Sequence, residues 1–287
     1  MADVSSFRLG GKYIRSMSLG LRGALEYRAN FFFSLLGAVS PIIIQTALWT
    51  CLYAPAPAAV EGSPAGSSGA DVLFGYTYAQ MLGYVVIANI IGRLVRTGFE
   101  YDLNNDIRMG GLDRFLVKPI GYFGFRMAQF FGAKSAESVF MCAILAACLA
   151  VLSALTDFDI SAEAVLGFFL ALGVAFALNF LVFWCVGLLG FWLTEIGFFF
   201  EAVRIVIITA SGGIFPLSVF GAAGEAVLSA LPFRFTIQFP TEVLCGRIGG
   251  AELASGLLWG VFWIAALAIA ARLLWAAGLR RFVAVGS

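Results

Sequence analysis

Six stretches of this chain, at roughly 31–53, 72–92, 128–152, 165–190, 202–220 and 254–277, are each apolar for about 20 residues, the length a helix needs to cross the hydrocarbon core of a bilayer. Nothing else in the sequence limits its fold as strongly. Of the 287 residues 61% are apolar and only 12% charged, against roughly 25% charged in ordinary soluble domains. The polar surface needed to clothe a globule is missing, so lipid is the main solvent. The first run is not a cleavable leader: about thirty residues precede it, and Pro55 and Pro57 interrupt the small-residue stretch that follows. The expected fold is an all-α integral membrane protein, with six transmembrane helices in one domain over residues 1–287.

Charge placement orients the spans. Of the 18 Lys and Arg residues, all but Arg234 and Arg247 lie in or beside four segments: before span one, between spans two and three, between four and five, and after six. Short basic loops stay in the cytoplasm, so both termini are expected there. The net charge of +1 gives no electrostatic basis for binding nucleic acid. Residues 1–30 read as an amphipathic helix. Arg8, Lys12, Arg15 and Arg22 share one stripe with Glu26, opposite Phe7, Ile14, Met17, Leu21 and Leu25, so the helix is expected to lie in the interface against membrane lipids. Gly10, Gly11, Gly20 and Gly23 weaken it.

The loop at 54–71 has the Pro, Ala, Gly and Ser composition of a tether. From Pro216 to 253 the chain is apolar but punctuated by Gly221, Gly224, Pro232, Pro240 and Gly246. That is too broken for a span and too apolar for a solvated loop. Short re-entrant helices on the outer side, over 221–253, are the expected solution, their backbone covered by protein.

Little in the chain can do covalent chemistry. There is no His, which removes the commonest general base and a common metal ligand. No phosphate-binding, dinucleotide-binding or nucleophile-elbow loop occurs, so no cofactor is expected in this chain. Cys51, Cys142, Cys148, Cys185 and Cys245 have no paired spacing and sit mostly in apolar runs, as structural thiols do. Lys134 with Glu137, and Glu201 with Arg204, are spaced three apart on helix faces and can pair, with Glu195 one to two turns earlier. Each pair reads either as a gate or proton relay, or more simply as a neutralised pair at an interfacial helix end. Asn89, Asn179 and Gln45 suit interhelical hydrogen bonds, while Gly256 and Gly260, and Ala171, Gly173, Ala175 and Ala177, suit close helix approach.

The most distinctive element is the inner loop at 93–127. Glu100 is followed by Asp106-Ile107-Arg108, Gly110, Leu112-Asp113, Leu116 and Lys118-Pro119. Ile107, Leu112, Phe115 and Leu116 thread apolar side chains through charged ones, the mixture expected of a protein-docking element with apolar anchors and a charged rim. Further on come Ser-Gly-Gly-Ile-Phe-Pro-Leu-Ser-Val-Phe at 211–220, Leu-Pro-Phe at 231–233 and Phe-Pro at 239–240.

In that order, on one six-span chain, these motifs resemble the ABC-2 type permeases, in particular the subgroup first catalogued as a domain of unknown function. The resemblance covers essentially the whole chain. It implies the transmembrane half of an exporter of the type V kind, in the plasma or inner membrane of a bacterial cell. A separate cytosolic ATPase would bind ATP and Mg and dock under the loop at 93–127 and the N-terminal helix. A second permease chain, identical or different, would complete the pathway. On this resemblance Glu100, Asp106, Ile107, Arg108, Gly110, Leu112, Leu116, Lys118 and Pro119 carry coupling, and Phe215, Pro216, Pro232, Phe233, Phe239 and Pro240 form the outer gate. With no cluster of intramembrane charge evident, a hydrophobic or amphipathic cargo such as a drug, lipid or lipid-linked glycan fits best. An ion-coupled transporter or channel would need midplane ionisable groups. A membrane enzyme would need grouped catalytic residues.

Overall fold

The computed structural model describes residues 13–21, 28–54, 72–116, 121–155, 161–193 and 197–281. Arg8, Lys12, Arg22, Lys118 and Pro119 lie outside them. Among the described residues the chain is helical apart from one two-residue hairpin, β1 (Val72–Leu73) with β2 (Tyr76–Thr77). The hairpin turn uses Phe74 and Gly75, both at positive φ. The helices are α1 (13–21), α2 (Arg28–Tyr53), α3 (Tyr78–Val95), α4 (Phe99–Arg108), α5 (Asp113–Leu116), α6 (Tyr122–Leu155), α7 (Ala162–Leu188), α8 (Gly197–Ala210), α9 (Gly221–Ala230), α10 (Gln238–Leu244) and α11 (Gly250–Leu279).

Four stretches are long and apolar enough to cross a membrane: Tyr78–Arg108, Glu137–Ala154, Ala162–Phe191 and Gly250–Leu279. Val39–Tyr53 and Leu217–Ala230 are shorter apolar helices. The run at 202–220 is divided rather than continuous. α8 has 14 residues, about 21 Å at 1.5 Å per residue, and it ends where Ser211, Gly212 and Gly213 turn the chain. Gly212 sits at φ 78°, and an added Cβ would lie 2.6 Å from the Tyr84 hydroxyl, so only glycine serves there.

α7 is the central helix and packs against α11, α10, α3 and α4. Its only charged or amide side chains are Glu163 and Asn179, and small residues let its neighbours close in. Gly167 faces Leu253 and Val243, and Gly260 of α11 lies against Val174. α3 starts with a capping box, Thr77 accepting from the Gln80 amide and Gln80 Oε1 accepting from the Thr77 amide at 3.1 Å. Asn89 donates to Gln45 Oε1 at 2.9 Å, joining α3 to α2, and Asn179 donates to the Val95 carbonyl, joining α7 to the end of α3.

α1 lies against the first half of α6 through glycines on both helices. A Cβ on Gly20 would strike the Gln129 carbonyl, one on Gly132 would strike the Met17 carbonyl, and Gly124 sits beneath the Tyr13 ring. Gly20 thus costs helix propensity but gives close approach. Ile14, Met17 and Leu19 remain exposed on α1, and so does Arg15. Gly132→Val should detach α1. Spin labels at Ser18 and Ser135 should give a narrow distance distribution in the native chain and a broad one in the variant; an unchanged distribution would count against the glycine contact.

Candidate functional site

Past the end of α3 the chain breaks at Arg96-Thr97-Gly98 and restarts as α4. The sequence Phe-Glu-Tyr-Asp-Leu-Asn-Asn-Asp-Ile-Arg is strongly amphipathic: Phe99, Glu100, Leu103 and Ile107 are buried, while Tyr101, Asp102, Asn105 and Arg108 face outward. Glu100 and Asp102 in its first turn suit the positive end of the helix dipole. Gly110, at φ 71°, then reverses the chain, and the Leu112 amide donates back to the Asp106 carbonyl at 3.1 Å.

Three other helices hold α4. Glu100, fully buried, pairs with Arg204 of α8, which also donates to the Thr97 carbonyl at 3.2 Å and stacks its guanidinium 5.0 Å from the Phe183 ring centre. Tyr101 donates to Glu201 Oε1 at 2.5 Å. On the other flank Arg126 of α6 bridges Asp102 at 3.0 Å and Asp106 at 2.5 Å. Tyr122 donates to the same Asp106 carboxylate at 2.6 Å. Against α7, the Phe99 ring lies 4.5 Å from Phe180 and 6.1 Å from Trp184, in a cluster continued by Tyr122 and Trp275, which stack at 5.9 Å. Gly187 of α7 gives α4 room to seat, its Cβ position lying 2.7 Å from Leu103.

The structure distributes the loop residues differently from their expected roles. Ile107 and Leu112 are buried and anchor the loop to its own bundle, so they are not exposed docking anchors; an amphipathic pattern does not tell an internal partner from an external one. At the end of α4 the exposed edge is Arg108 and Met109, the latter 78% exposed. Leu116 ends α5. Arg126, Tyr122, Trp184 and Trp275, the hub that fixes α4, carried no motif. One signal was available: Asp102 and Asp106 sit four apart on one helical face and require a cation. Lys134 and Glu137 do pair, at 2.6 Å, with Arg93 of α3 as a third member 2.9 Å from Glu137. Arg204 lies 3.6 Å from Glu201, but its closer partner is Glu100.

At the opposite end of the bundle, residues 211–246 fold back as short 3-10 and α-helical pieces against α3, α7 and α8. Pro216 and Pro232 begin 3-10 turns, where a missing N–H costs nothing. Phe239 fills the notch at Gly256 and packs 5.5 Å from Phe235; Pro240 is buried beside it. Phe215 meets Trp49 edge-on at 6.4 Å, and Phe233 is partly buried in the α4–α7 cluster. Glu242, buried, accepts from Tyr76 at 3.2 Å, Gln238 at 2.8 Å and Arg234 at 3.0 Å. Tyr84 donates to the Gly212 carbonyl at 2.6 Å, and Arg247 covers the Tyr76 ring at 3.8 Å. A cavity of about 630 Å³ opens beside this network, lined by Arg234, Arg247, Glu242, Glu252, Phe239 and Trp259 among others. No local pattern in the sequence marks this charged cluster, because its members come from three elements. Burial, reinforced by the Glu242 carboxylate, pushes the Cys245 thiol above its ordinary range.

Among the described residues no group of three or more Cys, Asp and Glu could hold a metal ion. The arrangement suits mechanical work: a short amphipathic lever is pinned to three long helices at one end of a bundle, with a hydrogen-bonded closure at the other. No curated protein and no solved structure matches the chain. Residues 67–286 match the model of a family described as ABC-2 family transporter protein, a span that takes in α3 to α11 and both sites. On that match and on its apolar helices, the chain belongs to the ABC-2 transporter family and is a multi-pass membrane permease.

Proposed function

We propose that the chain is the permease subunit of an ATP-driven exporter. A separate cytosolic ATPase, carrying ATP and Mg, docks beneath α4 and the loop at 93–127, with α1 beside it. The observation that carries this reading is the way α4 is pinned: ion pairs run from it to α6 and α8, and an aromatic stack runs to α7. A push on the exposed Arg108–Met109 edge therefore reaches three helices at once, and docking biases the equilibrium between two arrangements of the bundle.

In this proposal the chain makes six crossings as one domain. α2 supplies the first, and α8 with the broken segment after it supplies the fifth. Both termini face the cytoplasm of a bacterial cell. Exposed apolar surface on α6 and α11, including Val139, Leu258, Phe262 and Leu273, meets lipid or a second permease chain, identical or different. The segment from Phe215 to Pro240 serves as the outer gate. Lys118 and Pro119, which follow α5 in the sequence, belong to the coupling loop. The cargo is hydrophobic or amphipathic, a drug, lipid or lipid-linked glycan, and the cavity at Arg234 and Trp259 favours an amphipathic one.

The edge at Arg108 and Met109 tests the reading. Met109→Asp with Arg108→Glu should leave membrane insertion intact. Co-purification of the ATPase and ATP-driven transport should both fall about tenfold or more, as expected for losing an interfacial anchor. Full transport by that variant would rule out docking at this edge.

A further inference from the structure

A second cavity, of about 530 Å³, lies between α1, α3, α4 and α6 at the α4 end of the bundle. Its walls hold four cations, Arg93, Arg96, Arg126 and Lys134, and two acids, Asp102 and Glu137. Glu137 is taken by Arg93 and Lys134, and Asp102 by Arg126, which also reaches Asp106 behind the wall. Arg96 is exposed and makes no ion pair among the described residues.

Beside Arg96 two further features await an acceptor. Thr97 is 6% exposed, and its hydroxyl has no hydrogen-bond partner. α4 begins at Gly98 without a side-chain cap, although it is ten residues long; the Tyr101 amide turns back to the Gly98 carbonyl at 3.4 Å, which leaves the Phe99 and Glu100 amides as donors at the positive end of the helix. A surplus cation, an orphaned hydroxyl and an uncapped helix start converge on one point, and together they ask for a tetrahedral oxyanion. Gln129 adds one polar side chain, and the rest of the lining is apolar, with Leu19 and Gly20 of α1, Phe99 of α4, and Phe130 and Ala133 of α6. Leu19, 57% exposed, carries that apolar surface onto α1. A free anion has no use for such a flank, whereas an acyl chain attached to the anion does.

We propose that this cavity binds the phosphate of an anionic phospholipid headgroup, held by Arg96, Thr97 and the start of α4, with α1 as the wall along which the acyl chains leave. With both termini in the cytoplasm, the lipid comes from the cytoplasmic leaflet. Bound there, it joins α1 to the base of α4. The site does not depend on the identity of the transported cargo.

The test uses the full chain in vesicles of phosphatidylcholine with a minor fraction of phosphatidylglycerol, the bound lipid being read by native mass spectrometry after extraction. The native chain should retain phosphatidylglycerol in preference to phosphatidylcholine. Arg96→Gln should lower that retention about tenfold, the worth of one charge-assisted contact, and Arg96→Lys should restore most of it. Thr97→Val should lower it a few-fold. Arg247→Gln, at the other end of the molecule, should leave it unchanged. Equal retention by Arg96→Gln and native protein would overturn the proposal, as would a parallel loss of phosphatidylcholine. Binding of inorganic phosphate by the lipid-free, detergent-solubilised chain, lost in Arg96→Gln, would overturn the lipid assignment in favour of a soluble anion. Loss of the ATPase without loss of lipid in Arg96→Gln would assign the site to an acidic segment of that partner instead.

Discussion

Arg204→Met should lower the stability of the folded chain by about 3–5 kcal/mol, the usual consequence of removing one member of a buried ion pair. Glu100 is fully buried, and one of its oxygens already lacks a hydrogen bond, so without Arg204 its negative charge has neither water nor counter-charge. The same substitution removes the donor to the Thr97 carbonyl and the cation above Phe183. α4 loses its tie to α8, and the loop should open. Thermal unfolding of the purified chain, followed by tryptophan fluorescence, should register the change; a loss under about 1 kcal/mol, the range of exposed pairs, would mean that Glu100 is solvated. The double variant Glu100→Leu with Arg204→Met should recover most of the stability, since replacing both partners by apolar residues is often neutral. Its transport then separates two roles. Recovered stability with recovered transport assigns the pair to scaffolding, whereas recovered stability without transport assigns it to the switch.

The sequence discloses the long crossings because α3, α7 and α11 have no competitor for their apolar runs. Local pairs are equally legible: Lys134 and Glu137 are neighbours on any helix containing both. Relations fixed only by tertiary contact are not legible. Glu100 and Arg204 are 104 positions apart, and nothing in the neighbourhood of either marks the other. Gly20 and Gly132 illustrate the same limit. Read locally each costs propensity, but between two helices each makes room for a backbone. The apolar thread at Ile107 and Leu112 reads as exposed anchors for a partner, whereas both side chains are buried in the chain's own bundle, because the spacing of apolar residues tells which side is covered and not what covers it. At 211–246 the Gly and Pro residues reveal that no long helix forms. They do not reveal that Glu242 gathers Tyr76, Gln238 and Arg234, since Tyr76 comes from a hairpin 166 positions earlier.

Glu242→Ala should open the folded-back segment at 211–246 while leaving the α4 end in place. The carboxylate is the shared acceptor of three donors, and its loss leaves Tyr76 and Gln238 unsatisfied and Arg234 without a counter-charge. Arg234 is 27% exposed and borders the cavity of about 630 Å³, so water there offsets part of the deficit. The expected cost is about 2–4 kcal/mol, below that of a fully enclosed pair. Because short 3-10 and helical pieces carry this segment, the cost should appear first as local opening rather than as global unfolding. Cys245 provides the reporter: it is 8% exposed and caps the C-terminal end of α10. In a chain keeping only that cysteine, maleimide labelling should quicken by about tenfold for each 1.4 kcal/mol of local destabilisation. Glu242→Gln retains an acceptor oxygen and should quicken it far less. Unchanged labelling in Glu242→Ala would mean that aromatic contacts at Phe235 and Phe239, rather than the carboxylate, hold the closure. Faster labelling together with a faster leak of an amphipathic dye would identify the Glu242 network as the latch of the outer gate.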